Sequence, residues 1–202
     1  CATPRRLQQL SQAPIQFCGE SISPVSLVKN LGVTIDCCLT FQPHISRVVS
    51  SCFYQLRRLK SSLKSLPFDV AKTIINSFVI SRIDYCNCLL AGAPQYSINH
   101  LQRIMNAAAR LLCRAGSREH VTGLLRQLHW LRVPQRIEYK LCLLVFKALH
   151  GMAPGYLSEL CTRVAANPAQ SRLRSATHGD LDYPYTNTKF GDRELAVTIP
   201  KS

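Results

Sequence analysis

Phosphoryl transfer on nucleic acid by paired cations needs carboxylates that converge on two metal ions about 3.5–4 Å apart. Six aspartates are available for such work, Asp36, Asp69, Asp84, Asp180, Asp182 and Asp192, and no two of them are adjacent. The closest pair, Asp180-x-Asp182, lies near His178 in a stretch without apolar periodicity, where a solvated loop is the plainer reading. A zinc site needs Cys and His ligands at tight spacing. Cys86-x-Cys88 with a distant His120 or His129 fits that poorly, and the ten cysteines include no CxxC pair. Ordinary reduced thiols, mostly small core fillers, are the competing reading. Nucleophilic triads are defined by geometry rather than spacing, and no GxSxG-type turn marks one here. Phosphate-cradling GxGxxG and GxxxxGK[ST] loops are missing as well. Read this way, the chain by itself is non-catalytic and carries neither a metal site nor a cofactor.

The basic residues say more. Arg103, Arg110 and Arg114 are separated by seven and four positions, so on one helix they fall within about 40° of each other, away from Ile104, Ala108 and Leu111. Arg136, Lys140 and Lys147 align in the same way, and Arg57, Arg58, Lys60 and Lys64 fill two helical turns. Any helix needs a solvated face, yet few acidic residues interleave with these. Lys plus Arg number 25 against 11 Asp plus Glu, a net charge of +14. With 47% hydrophobic and 18% charged residues the chain is no disordered basic tail. Its partner class is therefore a polyanion, either nucleic acid or an anionic membrane surface. The longest apolar runs, such as Leu141 to Phe146, are far too short to span a bilayer, and no signal-peptide pattern is present. The expected location is intracellular, nuclear or cytoplasmic.

The elements that must position these residues follow from periodicity. Length suits one domain or two small ones. Residues 1–14 read as a loose lead-in. Over 15–36, β-branched residues in rough alternation predict a β-hairpin or small sheet. Helical spacing then takes over, from Ile45 through Cys52 and Leu56 to Leu63, with Pro43 near the start. Further helices are expected from Pro67 to Ser81, from Ser97 as N-cap to Gly116, from Thr122 to Leu128, and from Pro134 to just before Gly151. The last is apolar nearly all round at 141–146 and so reads as central to the bundle. A short amphipathic piece, Tyr156 to Cys161, leads into an irregular polar tail over 162–202. The fold class expected is mainly α: a small N-terminal β-hairpin, a helical domain of about five helices over 43–161, and the tail. Asp84-Tyr85-Cys86-Asn87 and His129-Trp130-Leu131 carry aromatic residues for which core packing and helix-end bonding outrank ligand contact.

An ordered series of short motifs adds a resemblance. Lys29-Asn30-Leu31-Gly32-Val33-Thr34-Ile35-Asp36, Leu39-Thr40-Phe41 and His44-Ile45 are followed by Ser81-Arg82-Ile83-Asp84-Tyr85-Cys86-Asn87 and Ala107-Ala108-Ala109-Arg110-Leu111. Next come Leu128-His129-Trp130-Leu131, Arg136-Ile137-Glu138-Tyr139-Lys140, Tyr156-Leu157-Ser158-Glu159-Leu160 and Leu173-Arg174-Ser175. Together they resemble the region that follows the catalytic palm motifs of LINE-type (non-LTR, jockey-like) retrotransposon reverse transcriptases. The resemblance implies that Leu31, Gly32 and Val33 form a primer-grip-like hairpin and that the helices beyond act as thumb and connector. Arg57, Arg58, Lys60, Lys64, Arg103, Arg110, Arg114, Arg136, Lys140 and Lys147 would then track the phosphates of RNA or an RNA–DNA duplex, with no membrane involved. The family's metal-holding aspartates, and with them Mg²⁺, are expected upstream of residue 1. Gly123 and Arg132 stand where the family pattern has prolines, and the chain stops just short of a Trp-Asn-x-Leu-Pro motif. A piece of a longer reading frame is thus expected, joined to an upstream polymerase portion. The alternative is a helical protein-interaction module, or a translated retroelement remnant without a function.

Overall fold

A computed structural model describes residues 13–116, 118–167, 172, 174–178 and 180–182. The lead-in expected over 1–14 lies, apart from Ala13 and Pro14, outside the described residues, as does the tail beyond Asp182. The fold is mainly helical, with two hairpins at its start and an irregular tail, in agreement with the expected class. Its residues group into two compact units, Cys1–Ile83 with Gln95–Leu124, and Asp84–Pro94 with Leu125–Ser202.

The first unit opens with strands β1 (Ile15–Phe17) and β2 (Glu20–Ile22), paired antiparallel with Phe17 opposite Glu20. Strands β3 (Leu27–Asn30) and β4 (Val33–Asp36) form a second antiparallel hairpin, with Asn30 opposite Val33. The single hairpin expected over 15–36 is thus two. Pro24 separates them, because it has no N–H to offer a ladder. Each two-residue turn, Cys18-Gly19 and Leu31-Gly32, holds both residues at positive φ. That is the type I′ requirement, and the glycine makes it cheap. Leu31 stands at the tip, 83% exposed, while Val33 is buried at 4%.

Between β4 and helix α1 (Gln42–Ser62) the chain turns sharply, with Leu39 and Phe41 at positive φ. Asp36 holds this turn. Its Oδ2 accepts from the Thr40 N–H at 3.0 Å and the Thr40 hydroxyl at 3.0 Å, and its Oδ1 accepts from the Phe41 N–H at 2.8 Å. Thr40 Oγ1 in turn accepts from the Gln42 N–H at the first residue of α1. Burial pulls the Asp36 carboxyl upward, but these bonds together hold it below its ordinary 3.8. In the first turn of α1, buried His44 closes the same junction. Its Nδ1 accepts the backbone N–H of buried Thr34 at 3.4 Å, which fixes β4 against α1.

Helix α2 (Phe68–Ile75) runs through a π-helical turn, Asn76–Ile80, into α3 (Ser81–Asp84). The hydroxyls of Thr73, Ser77 and Ser81 each donate to the carbonyl four residues back. Such back-bonding competes with the main-chain ladder and loosens it, a physical reason for the wider turn. Helix α4 (Gln95–Leu112) buries Ile98, Leu101, Ile104, Met105, Ala108, Ala109 and Leu112, the i, i+3, i+4, i+7 stripe that drives it onto α1 and α2. Ser97, expected as its N-cap, is instead inside the helix and 1% exposed; its hydroxyl donates to Gln42 Oε1 on α1 at 2.8 Å. Cys52, at the centre of this core, has its thiol pushed up to about 11 by burial. The wider expectation for the thiols was too broad: of the nine described cysteines only Cys52 and Cys161 are buried.

In the second unit, helix α6 (Val133–Leu149) follows α5 (Val121–Gln127), which begins in the first unit's residues. Helix α6 packs on a 3₁₀ turn at Asn87–Leu90 and on α7 (Gly155–Ser158). Its sequence pattern predicts a place at the bundle centre. It buries one face only, at Val133, Ile137, Leu141 and Ala148, leaving Cys142 exposed and Phe146 51% exposed. The apolar run at 141–146 wraps the helix, but a helix packed from one side has partners for a single stripe. The described tail is not wholly irregular. A 3₁₀ turn at Val164–Ala166 and an isolated antiparallel bridge between Arg163 and Leu181 precede and follow α8 (Arg174–Thr177). Asp182 accepts from the Asn167 side-chain amide at 2.9 Å.

The His44 junction makes a pH prediction. Burial, reinforced by Arg47, keeps the His44 imidazole below its ordinary 6.5. The unfolded chain therefore takes up more protons than the folded one as pH falls past 6.5, and stability drops with it. His44→Asn offers an amide oxygen near the Nδ1 position without titrating. Urea midpoints measured from pH 7.5 to 5 should fall for the parent and fall distinctly less for the variant. Parallel curves would show that His44 does not carry this dependence.

Candidate nucleic-acid interface

Helices α1 and α4 run side by side in the same direction, because they are tied at both ends. Gln42 and Ser97 join near their N-termini, and at the other end the Arg114 guanidinium donates to the Lys64 carbonyl at 2.8 Å. Helix α4 stops at Leu112 in a Schellman turn: the Ala115 N–H bonds to the Arg110 carbonyl and the Arg114 N–H to that of Leu111. The left-handed residue there, with φ 54°, is Arg114 rather than the expected Gly116. The strain is modest, and the site places a cation over carbonyls at the C-terminal end of α1, where the helix dipole favours it.

Between the C-terminal halves of α1 and α4 lies an open groove of about 640 Å³. Its floor is Phe53, Leu56, Ala107, Leu111 and Ala115, and its rim is Arg57, Lys60 and Lys64 on one wall with Arg110 and Arg114 on the other. No carboxylate lines it. Among the described residues no acid pairs with Arg57, Lys60 or Lys64, whose side chains are exposed. Arg110 is held more tightly: one guanidinium nitrogen donates to the Glu119 carbonyl at 3.3 Å, while its buried Nε has no partner.

The ten basic positions singled out in the sequence thus divide. Five gather on the groove. Arg58 lies on α1 with its guanidinium 5.6 Å from the Tyr54 ring centre, and Arg103 is exposed on α4, both outside the groove lining. The stripe read as Arg103, Arg110 and Arg114 needs correcting, since Arg114 lies beyond the end of α4 and its direction is set by the turn rather than by helical phase. Lys140 and Lys147 are exposed on α6 in the second unit. Arg136, also on α6, is committed elsewhere: it pairs with Asp84 at 2.6 Å and donates to the Leu131 carbonyl at 2.9 Å. Its neighbours in that cluster are structural too. Asn87 is 3% exposed, Cys86 takes a left-handed turn after α3, and Trp130 is buried behind a second Schellman turn at His129. Trp130 packs in the core as expected, whereas Tyr85 of the other segment is 51% exposed.

The groove floor was not legible as a site. Phe53, Ala107, Leu111 and Ala115 are brought together, half-covered, only by the close parallel approach of α1 and α4. The one available signal was the pair of small residues, Ala107 and Ala115, at an eight-residue interval opposite a basic helix. Among the described residues, no three His, Cys, Asp or Glu side chains gather as metal ligands, and no helix is long and apolar enough to cross a membrane.

If Arg136 is a structural partner of Asp84 rather than a phosphate ligand, the two side chains must be energetically coupled. A double-mutant cycle with Arg136→Ala and Asp84→Ala, followed by urea unfolding, should give a coupling of about 1–2 kcal/mol, with each single variant destabilised. Additive losses would free Arg136 for another role. No known protein family, curated protein or solved structure matches the chain.

Proposed function

We propose that the chain is the nucleic-acid-holding part of a non-LTR retrotransposon reverse transcriptase, binding the backbone of a template–primer for a polymerase site carried by an upstream portion. The observation that carries this reading is the groove between α1 and α4, with five cations and no carboxylate in its lining. Helix C-termini alone account for some cations there, at about 0.3–1 kcal/mol each. They do not account for Arg57, Lys60 and Lys64, exposed and without an acidic partner among the described residues, along the last turns of α1 and just past its end. A phosphate chain laid along the groove supplies the missing anions and releases its own counterions.

The motif series read from the sequence supports the same reading. In it, the β3–β4 hairpin with Leu31 at its tip and Gly32 and Val33 behind is the primer-grip-like element, and Lys140 and Lys147 on α6 add backbone contacts. Ile15, Phe17 and Ile22 on the first hairpin are exposed at 67%, 65% and 52%, an apolar surface suited to an upstream polymerase portion. The same surface also fits a protein-interaction module, the competing reading.

Salt dependence separates the two. On an RNA–DNA hybrid with an unpaired RNA overhang, the slope of log K against log salt should be steep and negative. The triple variant Arg57→Gln, Lys60→Gln, Lys64→Gln should flatten it by about 2–3, at 0.7–0.9 per lost contact. Its stability should change by less than about 1 kcal/mol, since all three side chains are exposed. A parent that binds no nucleic acid, or a folded variant with the parent's slope, would contradict the proposal.

A further inference from the structure

The groove is more than a charged track. A duplex offers a protein its phosphate ridges and keeps its bases stacked and paired inside. Against the α1–α4 groove it would satisfy the rim and leave the floor of Phe53, Leu56, Ala107, Leu111 and Ala115 without a partner. An unpaired strand is different, because each of its bases has an apolar face in need of cover. We infer that this groove binds single-stranded nucleic acid, with phosphates on the two basic walls and unpaired bases set down into the apolar floor. The inference rests on the reading of the chain as a nucleic-acid binder, and specifies the state of the strand that the groove takes.

Three features fit this occupant. Charge comes from both helices, Arg57, Lys60 and Lys64 from the α1 side and Arg110 from α4, with Arg114 reaching across to the Lys64 carbonyl, which suits a strand lying between the helices more than a rod resting on one of them. The floor has room: about 640 Å³ lies within the range of small-molecule sites, roughly 300–1,000 Å³, and Ala107 and Ala115 create it where larger side chains would fill it. Phe53 supplies an aromatic face, and the buried Nε of Arg110 is a donor still without an acceptor. An acidic amphipathic peptide could also match a basic rim and an apolar floor. The two-walled rim favours the evenly spaced charges of a phosphate chain, and the peptide is an outcome of the test.

The test compares probes on the unaltered protein. A twelve-nucleotide oligothymidylate, an abasic twelve-mer of the same charge and a twelve-pair duplex are titrated by fluorescence anisotropy at one salt concentration. The oligothymidylate should bind at least about tenfold more tightly than the abasic strand, equivalent to about 1.4 kcal/mol, and more tightly than the duplex. Ala107→Met, which fills the floor without changing charge, should weaken the oligothymidylate about tenfold and leave the abasic strand unchanged. Phe53→Ser should act in the same direction, so that one misfolded variant leaves the other to decide. Equal affinity for the oligothymidylate and abasic strands overturns this inference while leaving a backbone-binding function intact. Binding to none of the three overturns both, and capture of an acidic amphipathic peptide in that case assigns the groove to a protein partner.

Discussion

The carboxylate of Asp36 sits where the chain has to stop being a strand and become a helix, and the first unit is arranged around how it does so. Two residues in the turn, Leu39 and Phe41, take left-handed conformations that cost free energy without a glycine. Three donors from Thr40 and Phe41 converge on one carboxylate and hold the chain in that shape. His44 then fastens the start of α1 to β4 through the Thr34 amide. The direction in which α1 leaves the hairpin follows from these bonds. So does the line along which α4 can pack on α1, and hence the groove between them.

This gives a physical meaning to the residues that carry the sequence resemblance. Asp36, Thr40, Phe41 and His44 join through hydrogen bonds at this junction. They set the angle between a hairpin and a long helix. Asp84 and Arg136, from two motif segments 52 residues apart, likewise meet as an ion pair in the second unit. Short motifs of this kind specify corners, and corners position the surfaces that lie between them. The groove draws on one such segment, through Ala107, Arg110 and Leu111, and otherwise on residues whose identities are ordinary taken one at a time.

The same contrast explains how much could be read from sequence. Helix existence was legible, since α1, α2, α4 and α6 each carry an apolar stripe of the right period, and Pro43 and Pro134 sit in their first turns. Gly151 does end α6 in a left-handed turn. Gly116 does not end α4, because an arginine can occupy the left-handed position when its side chain gains a carbonyl partner on α1, and that partner is 50 residues away in sequence. Ser97 looked like a cap because serine usually is one. It is buried inside α4 because Gln42 reaches it. The depth of α6 was misjudged for a related reason: periodicity counts apolar faces, not how many neighbours come to cover them. The basic positions are visible one by one in the sequence, yet their grouping depends on tertiary approach. Five share a groove, and Arg136 is spent on Asp84.

The proposed function is a sequence-independent grip on a polyanion, held by cations that need no base edge to read. The central claim is one of place: the strand lies between α1 and α4. Hydrogen–deuterium exchange with and without a saturating twelve-nucleotide oligothymidylate tests it directly on the whole chain. Backbone amides over 53–64 and 107–115 should show the largest slowing, with those over 136–147 slowed less. Protection strongest over 136–147, or confined to the hairpin at 27–36, would contradict the account.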